Sequence, residues 1–372
     1  MKLFMHPSNE SKQLKSERFP LDLAYHPVKG WYKIIYQGLI IPDLPSPLHY
    51  FNFKALTGQP NIPILRNQSA ISTNPLDTVF VLSSSSPQMT GHIHNYSQQN
   101  ECHFKDTLFQ FGEKQQLSGA FPRFHLQRND DELQVNLNIE TQPIIHQFNR
   151  LKIGIYDHWS LLCQCQGSIR YKNQTFEINH QGAFEYARAI NVPYLPICFY
   201  TYQMIHLKNQ QQLILIQLKN QFNQIIQSRM YLRSADHKIP IFIDEQVSFN
   251  VHRVYPKVTT PNQQEMYLPR EFEWEVKHAE YDIHLYGRSR GDFKFGLGAG
   301  YVGSFCYQLT INNEVEEGSA GYCEYIDVRP LLWQEQNDDE KNNNKIANIA
   351  PIALKNRRKV VFCLINNHSN TN

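Results

Sequence analysis

One short phrase occurs twice in this chain, and the distance between its copies limits what the chain can fold into. Gly167-Ser168-Ile169 opens a stretch that closes on Gly182-Ala183-Phe184-Glu185-Tyr186, and Gly303-Ser304-Phe305 opens another that closes on Gly321-Tyr322-Cys323-Glu324-Tyr325. Glu185 and Glu324 lie 139 positions apart (324 − 185). Solenoid periods run about 20–50 residues, so this spacing predicts two copies of one domain rather than a stack of small repeats. A chain of 372 residues is long enough for two cores. The phrase also sets one carboxylate at a matching place in each half.

Alternation of apolar and polar residues is the dominant local pattern. Leu133, Val135, Leu137 and Ile139 alternate with Glu132, Gln134, Asn136 and Asn138, the period of a half-buried strand. Asn129-Asp130-Asp131 before them reads as a hairpin turn after a strand over residues 121–126, and residues 213–218 follow a polar turn at Asn209-Gln210-Gln211. Phe272, Trp274 and Val276 repeat the alternation, and residues 281–286 continue it. The best helical candidate, residues 144–151 after Pro143, is short. The expectation is an all-β protein of two antiparallel barrels, since closure removes exposed strand edges. The division is a polar segment 1–20, a first barrel 21–192, a second barrel 193–333 with Pro193 and Pro196 at the junction, and an acidic, Asn-rich run and tail 334–372.

Composition excludes several classes of function. A net charge of +2 from 36 basic and 34 acidic residues, with no basic run, gives no reason to expect nucleic acid as a partner. No stretch approaches the length of an apolar membrane span, and Met1-Lys2-Leu3-Phe4-Met5-His6-Pro7 breaks too soon for a secretory leader. Seven scattered cysteines do not suggest a disulfide framework, and together these features point to the cytoplasm. Twenty Tyr and 22 Phe suit sheet faces and the lining of an apolar ligand site.

Several phrases together resemble the AttH-like and hydroxyneurosporene synthase (carotenoid 1,2-hydratase) superfamily. They are Tyr301-Val302-Gly303-Ser304 with Gly318-Ser319-Ala320-Gly321-Tyr322-Cys323-Glu324-Tyr325; Gly182-Ala183-Phe184-Glu185-Tyr186-Ala187-Arg188; Tyr202-x-Met204-Ile205-His206-Leu207; and Tyr156-x-His158-Trp159. The resemblance spans roughly residues 21–333. It implies two lipocalin-like barrels with an apolar ligand site in or between them, and it extends to relatives that hydrate isoprenoid double bonds or guide cyclisation. Where that family continues past the first acid with a basic residue and Trp-Gly, this chain has Tyr186 and Ala187, so it looks closer to an uncharacterised bacterial branch.

Glu185 is the leading catalytic candidate. In an apolar barrel, desolvation would raise its pKa and keep it protonated near neutral pH, which makes a carboxylic acid a proton donor to an alkene or ether. Its bland alternative is a structural acid at the seam between domains. Period 2 sets Tyr186 and Arg188 on the face opposite Glu185. Glu324 ranks below it, because duplication alone explains a shared structural residue. His158 could assist as a base, although a lone histidine in a sheet is more often a satisfied core residue. Tyr156, Trp159, Tyr186, Arg188, Tyr202, His206, Tyr322 and Glu324 are the candidate ligand-binding residues.

Other motifs carry less. His92-x-His94 with Cys102-His103 has metal-ligand residue types but no spacing that fixes a site, so no metal is expected. Cys163-x-Cys165 reads as two buried thiols on one strand face. Gly298-Ala299-Gly300-Tyr301-Val302-Gly303 runs on into an alternating strand, not the helix of a dinucleotide site, and no cofactor is implied. Three functions follow: a binding protein for a hydrophobic small molecule such as a lipid, isoprenoid or polyketide-like chain; a cofactor-independent lyase or isomerase on the same scaffold; or an interaction protein whose barrels are filled by their own side chains. The oligomeric state is not legible.

Overall fold

The computed structural model describes residues 23–150, 154–191, 194–235 and 241–329. The polar segment 1–20, Pro193 and the tail after Trp333 lie outside them. The chain is nearly all β, with a single-turn helix at Gln98–Glu101 and a 3-10 turn at Gln68–Ala70. In chain order the first sheet comprises β1 (Tyr32–Ile41), β2 (Phe51–Thr57), β3 (Thr78–Ser85), β4 (Ile93–Ser97), β5 (Cys102–Lys105), β6 (Leu108–Phe111), β7 (Gln115–Ala120), β8 (Arg123–Asn129), β9 (Leu133–Arg150), β10 (Tyr156–Tyr171) and β11 (Gln174–Ile190). The second comprises β12 (Ile197–His206), β13 (Gln212–Asn220), β14 (Ile225–Arg233), β15 (Ile241–Ile243), β16 (Val247–Val254), β19 (Pro269–Lys277), β20 (Asp282–Ser289), β21 (Lys294–Leu297), β22 (Gly300–Ile311) and β23 (Glu314–Asp327). A small ribbon, β17 (Val258–Thr259) and β18 (Glu265–Met266), stands apart.

The first sheet runs β4-β3-β2-β1-β11-β10-β9-β8-β7-β6-β5 and curls into a near-closed barrel. Its two edge strands are joined by the single-turn helix, and side chains cross the gap: Arg128 of β8 donates to the Ser83 carbonyl of β3 at 3.1 Å, and His94 lies 2.9 Å from the Gln115 amide. The second sheet runs β15-β14-β13-β12-β23-β22-β20-β19-β16 and forms a half-barrel. In each, the strand that closes the connectivity (β11 or β23) pairs with the strand that opens it (β1 or β12).

Alternation explains the strands. In β9, Leu133, Val135, Leu137 and Ile139 are buried while Asn136 and Asn138 are exposed. Of the helix expected over residues 144–151, residues 144–150 are instead the far end of β9, and Leu151 lies outside the described residues. Pro143-Ile144-Ile145 break the period, and the pairing with β10 absorbs the break in two register shifts, between His158 and Trp159 and between Leu161 and Cys163. The Gly298-Ala299 turn joins β21 to β22, so a strand and no helix follows the glycines.

The first barrel is filled by its own side chains. Tyr25 enters it and meets Phe109, Phe121, Phe124, Phe184 and Tyr186 at ring separations of 5.1–5.9 Å. Its outer wall, with Ile40, Tyr50, Phe80, Leu82, Phe148 and Ala183, belongs to the same apolar cluster as the core of the second sheet. The seam between the sheets is therefore a core in its own right. Both faces of β2 are buried.

Candidate functional site

The pairing of β11 fixes where Glu185 points. Across the first sheet Lys54 of β2, Gly38 of β1, Glu185 of β11, Ser160 of β10 and His146 of β9 form one row of directly opposed residues, and opposed residues share a face. That face is the outer wall of the barrel, against the second sheet. Tyr186, on the other face, packs in the barrel interior against Trp159 at 5.5 Å and Tyr25 at 5.3 Å.

At the seam a chain of buried polar groups links both sheets. Tyr202 of β12 donates to Glu185 Oε1 and Tyr36 of β1 to Glu185 Oε2, both at 3.1 Å. Lys54 Nζ donates to the Tyr36 hydroxyl at 2.7 Å and pairs with the Glu324 carboxylate of β23. Tyr322 donates to Glu324 at 2.9 Å, and Asn52 Nδ2 donates to the Tyr322 hydroxyl at 3.3 Å. Ser84 donates to Asn52 Oδ1 at 2.6 Å. The two glutamates of the repeated phrase thus meet around one lysine.

Gly38 makes the arrangement possible. A Cβ there would lie 2.5 Å from the Tyr36 hydroxyl and 3.4 Å from Glu185 Cβ. Without one, the phenol folds into the gap in the row between Lys54 and Glu185. Glu185 is 2% exposed, and burial, reinforced by the Glu324 charge, holds its carboxyl above the usual range against the opposing pull of Lys54 and the two hydroxyls. Burial also holds the Tyr36 and Tyr202 phenols well above their ordinary value, with Glu185 adding to it.

The least buried part of this network is a rim of Tyr36, Tyr156, His158 and Tyr200, all partly accessible. Tyr156 and His158 approach to 3.3 Å between hydroxyl and Nδ1, His158 Nε2 has no partner among the described residues, and its ring meets Tyr36 at 5.8 Å. Burial and the Lys54 charge push the His158 pKa down to about 3, so the ring is neutral at physiological pH, with one nitrogen carrying a hydrogen and the other an acceptor.

Beside Glu185 lies a second buried group. Arg233 of β14 donates to the Ser160 carbonyl at 2.8 Å and its hydroxyl at 3.0 Å, and forks onto Gln212 Oε1 at 2.9 and 2.7 Å. Gln212 in turn lies 2.9 Å from His206 Nε2. Burial lowers the Arg233 pKa to about 10.

Of the residues singled out in the sequence, Tyr202 bonds Glu185 and Tyr322 bonds Glu324, the two pairs are linked through Tyr36 and Lys54, and Tyr156 and His158 stand at the rim. His206 connects only through Gln212 and Arg233. Trp159 and Tyr186 are inside the barrel, and Arg188 faces the Asp157 carboxylate at 4.0 Å and stacks over Tyr32. Tyr36, Lys54, Asn52, Gly38, Ser160 and Arg233 were not legible. Asn52 and Lys54 alternate with Phe51, Phe53 and Ala55, which reads as the solvated face of a strand until a second sheet covers it.

The remaining motifs have separate roles. His92 Nε2 lies 3.0 Å from the Phe295 carbonyl oxygen, and among the described residues no three His, Cys, Asp or Glu side chains gather to hold a metal. Cys163 and Cys165 are buried free thiols with sulfurs 3.8 Å apart. Cys102, Cys198 and Cys323 are free thiols as well. No helix among the described residues is long and apolar enough to cross a membrane.

A tandem of antiparallel β-barrel sheets joined through a buried acid–phenol–lysine seam is the class these features define. Over residues 54–341 the chain matches the model of a family of unknown function, DUF6670, and it belongs to that family. No curated protein matches it. Its fold is AttH-like. It is similar to the crystal structure of an AttH candidate from Nitrosomonas europaea (TM-score 0.59, 11% identity, covering 84% of this chain and 97% of that one). It is similar also to kievitone hydratase from Nectria haematococca (TM-score 0.52, 12% identity, 79% and 89%).

Proposed function

We propose that this protein is a cofactor-independent lyase or isomerase that protonates an unsaturated hydrophobic small molecule from Glu185, at the seam between two lipocalin-like domains, 21–192 and 193–333. The observation that carries this reading is the Glu185 carboxyl itself: buried, held above the usual carboxylate range, and contacted by two phenols and, among the described residues, no cation. Raising its pKa favours the protonated form of such an acid, and hydrogen-bond donors are in place for the carboxylate it leaves behind. The π electrons of the substrate take the Glu185 proton. Tyr36 and Tyr202 then donate to the resulting carboxylate, with Lys54 one hydroxyl away. The substrate cation resolves by losing a proton from a neighbouring carbon to the neutral His158, which gives an isomer, or by adding water, whose surplus proton His158 accepts; in either case one proton returns to Glu185 through solvent and restores the acid. Tyr36, Tyr156, His158 and Tyr200 frame the approach.

Each alternative has its own support. The filled interior of the first barrel, taken alone, suits a purely structural protein, but packing alone would place apolar side chains at a seam where a buried ion pair and a raised acid cost stability. A carrier without chemistry fits the aromatic rim equally well, and the resemblance to the hydroxyneurosporene synthase superfamily accommodates both. Native mass spectrometry of protein purified from its source identifies a co-purifying hydrophobic molecule. With that molecule in hand, Glu185→Gln is expected to lower turnover about 100-fold or more, and Tyr202→Phe to lower it less. Unchanged turnover in Glu185→Gln removes the enzyme reading; unchanged affinity with no turnover in either protein leaves a carrier.

A further inference from the structure

The exposed apolar residues of this molecule are not scattered. Of the nine large exposed hydrophobics among the described residues, six, Trp31, Tyr194, Leu195, Phe222, Ile225 and Ile226, belong to segments that meet at one end. Tyr32 begins β1 opposite Ile190, the last residue of β11, and its hydroxyl donates to Gly154 at 2.6 Å. Leu195 donates from its backbone to Asn61, and Ile197 at the start of β12 pairs with Asn220, where the turn carrying Phe222 begins. Single exposed apolar residues are ordinary; their convergence is not. Trp31 is 84% exposed and Phe222 73%.

Charge accompanies these side chains. Lys29 and Lys33, both exposed, bracket Trp31, and Lys219 precedes the Phe222 turn, half-buried over the Phe199 ring. A tryptophan between lysines, beside a hairpin tip of Phe and Ile, is the chemistry of a segment that sits at the headgroup level with its apolar side chains dipped below it. The rim of Tyr36, Tyr156 and His158 lies just inside the same end, since Tyr156 pairs with Ala189 and His158 with Ala187.

We infer that this end docks on an anionic lipid surface, with Trp31 and the Phe222–Ile225 turn inserted at the interface and Lys29, Lys33 and Lys219 over the headgroups. The docking stands on the surface alone and does not depend on any chemistry at Glu185. Its consequence for the proposed function is a route by which a lipid-soluble molecule passes from bilayer to seam without crossing water.

The chain supplies its own reporter. Trp159 and Trp274 are fully buried, so in a Trp333→Phe background Trp31 is the tryptophan that senses a surface. Vesicles of phosphatidylcholine with about a quarter phosphatidylglycerol should shift Trp31 emission to the blue and pellet the protein, and phosphatidylcholine alone should do so much less. Phe222→Ser with Ile225→Ser should abolish the shift, and Lys29→Gln and Lys33→Gln should each weaken binding about fivefold. Circular dichroism confirms that these surface variants fold, and Glu185→Gln should bind vesicles as the parent does. No shift and no pelleting with either vesicle overturns the inference, as does binding that the tip substitutions leave unchanged. Sedimentation velocity without lipid supplies the last outcome: a blue-shifted Trp31 in a dimer means that a second copy, not a membrane, covers this end.

Discussion

Glu185 stands in the row Lys54–Gly38–Glu185–Ser160 across the first sheet, and Glu324 stands in the row Ile216–Tyr202–Glu324–Val302 across the second. The pairing topology is the same and the neighbours differ. Where the first row has Lys54 the second has Ile216, and where the first has Gly38 the second has Tyr202. Lys54 does not serve the carboxylate of its own row directly; it reaches across the seam to Glu324, and Tyr202 reaches back to Glu185. Duplication therefore delivered two equivalent acids, and the unequal neighbours separated them into an ion-paired carboxylate and an acid held above its ordinary range. The opening Gly-Ser pairs of the repeat are not equivalent in the same way. Gly303 is one residue from the partner of Glu324, whereas Gly167 is seven residues from Ser160, the partner of Glu185.

The comparison breaks most visibly at Lys54. Lys54→Met leaves Glu324 buried without its cation and should cost about 3–5 kcal/mol in urea unfolding at pH 7, with much of the loss recovered in Lys54→Met/Glu324→Gln. A loss well under about 1 kcal/mol would mean that the ion pair does not organise the seam.

The two glutamates should next respond with opposite signs. Glu324→Gln strands Lys54 and destabilises, by about 2–4 kcal/mol. Glu185→Gln should be neutral or stabilising at pH 8. The folded Glu185 pKa lies above the ordinary 4.5, so the stability tied to its proton is complete below that value and is lost as pH rises through the raised one. The amide removes this slope, which urea midpoints across pH 4–9 would reveal. Equal effects of both substitutions would return the two acids to one structural role.

Gly38→Ala presses a methyl group against the Tyr36 hydroxyl and should cost about 1–3 kcal/mol, less in a Tyr36→Phe background, where the oxygen it meets is gone. If Tyr36→Phe brings no relief, the gap in the first row is not what seats the phenol.

The smallest effect concerns the acid limb. His158 and His206 are each pushed from 6.5 to about 3 by burial, so their contribution is complete above pH 6.5 and declines as pH falls towards 3. Stability should fall by about 1 kcal/mol per histidine between pH 6.5 and 5.5, and His206→Asn should remove its share of that slope.

Much of the fold was legible because strand patterning is local. The alternation in β9 and β19 gave the strands, and the parity of Gly182 to Arg188 correctly set Glu185 against Tyr186. The same logic failed at residues 144–151, where register shifts hide the period, and at β2, where Asn52 and Lys54 imitate a wetted face. Resemblance pointed to the barrel scaffold, yet it gave no means of telling that the first barrel fills itself with Tyr25 and its rings.

The sequence by itself determined the strands, the duplication and which side of β11 carries the acid, because each depends on neighbours a few residues apart. Only the tertiary structure decided what the acid meets. Tyr36 lies 149 positions from Glu185, and Lys54 lies 270 from Glu324. A buried carboxyl takes its pKa from charges and hydroxyls within hydrogen-bond reach in space, and sheet stacking, not chain order, brings those together.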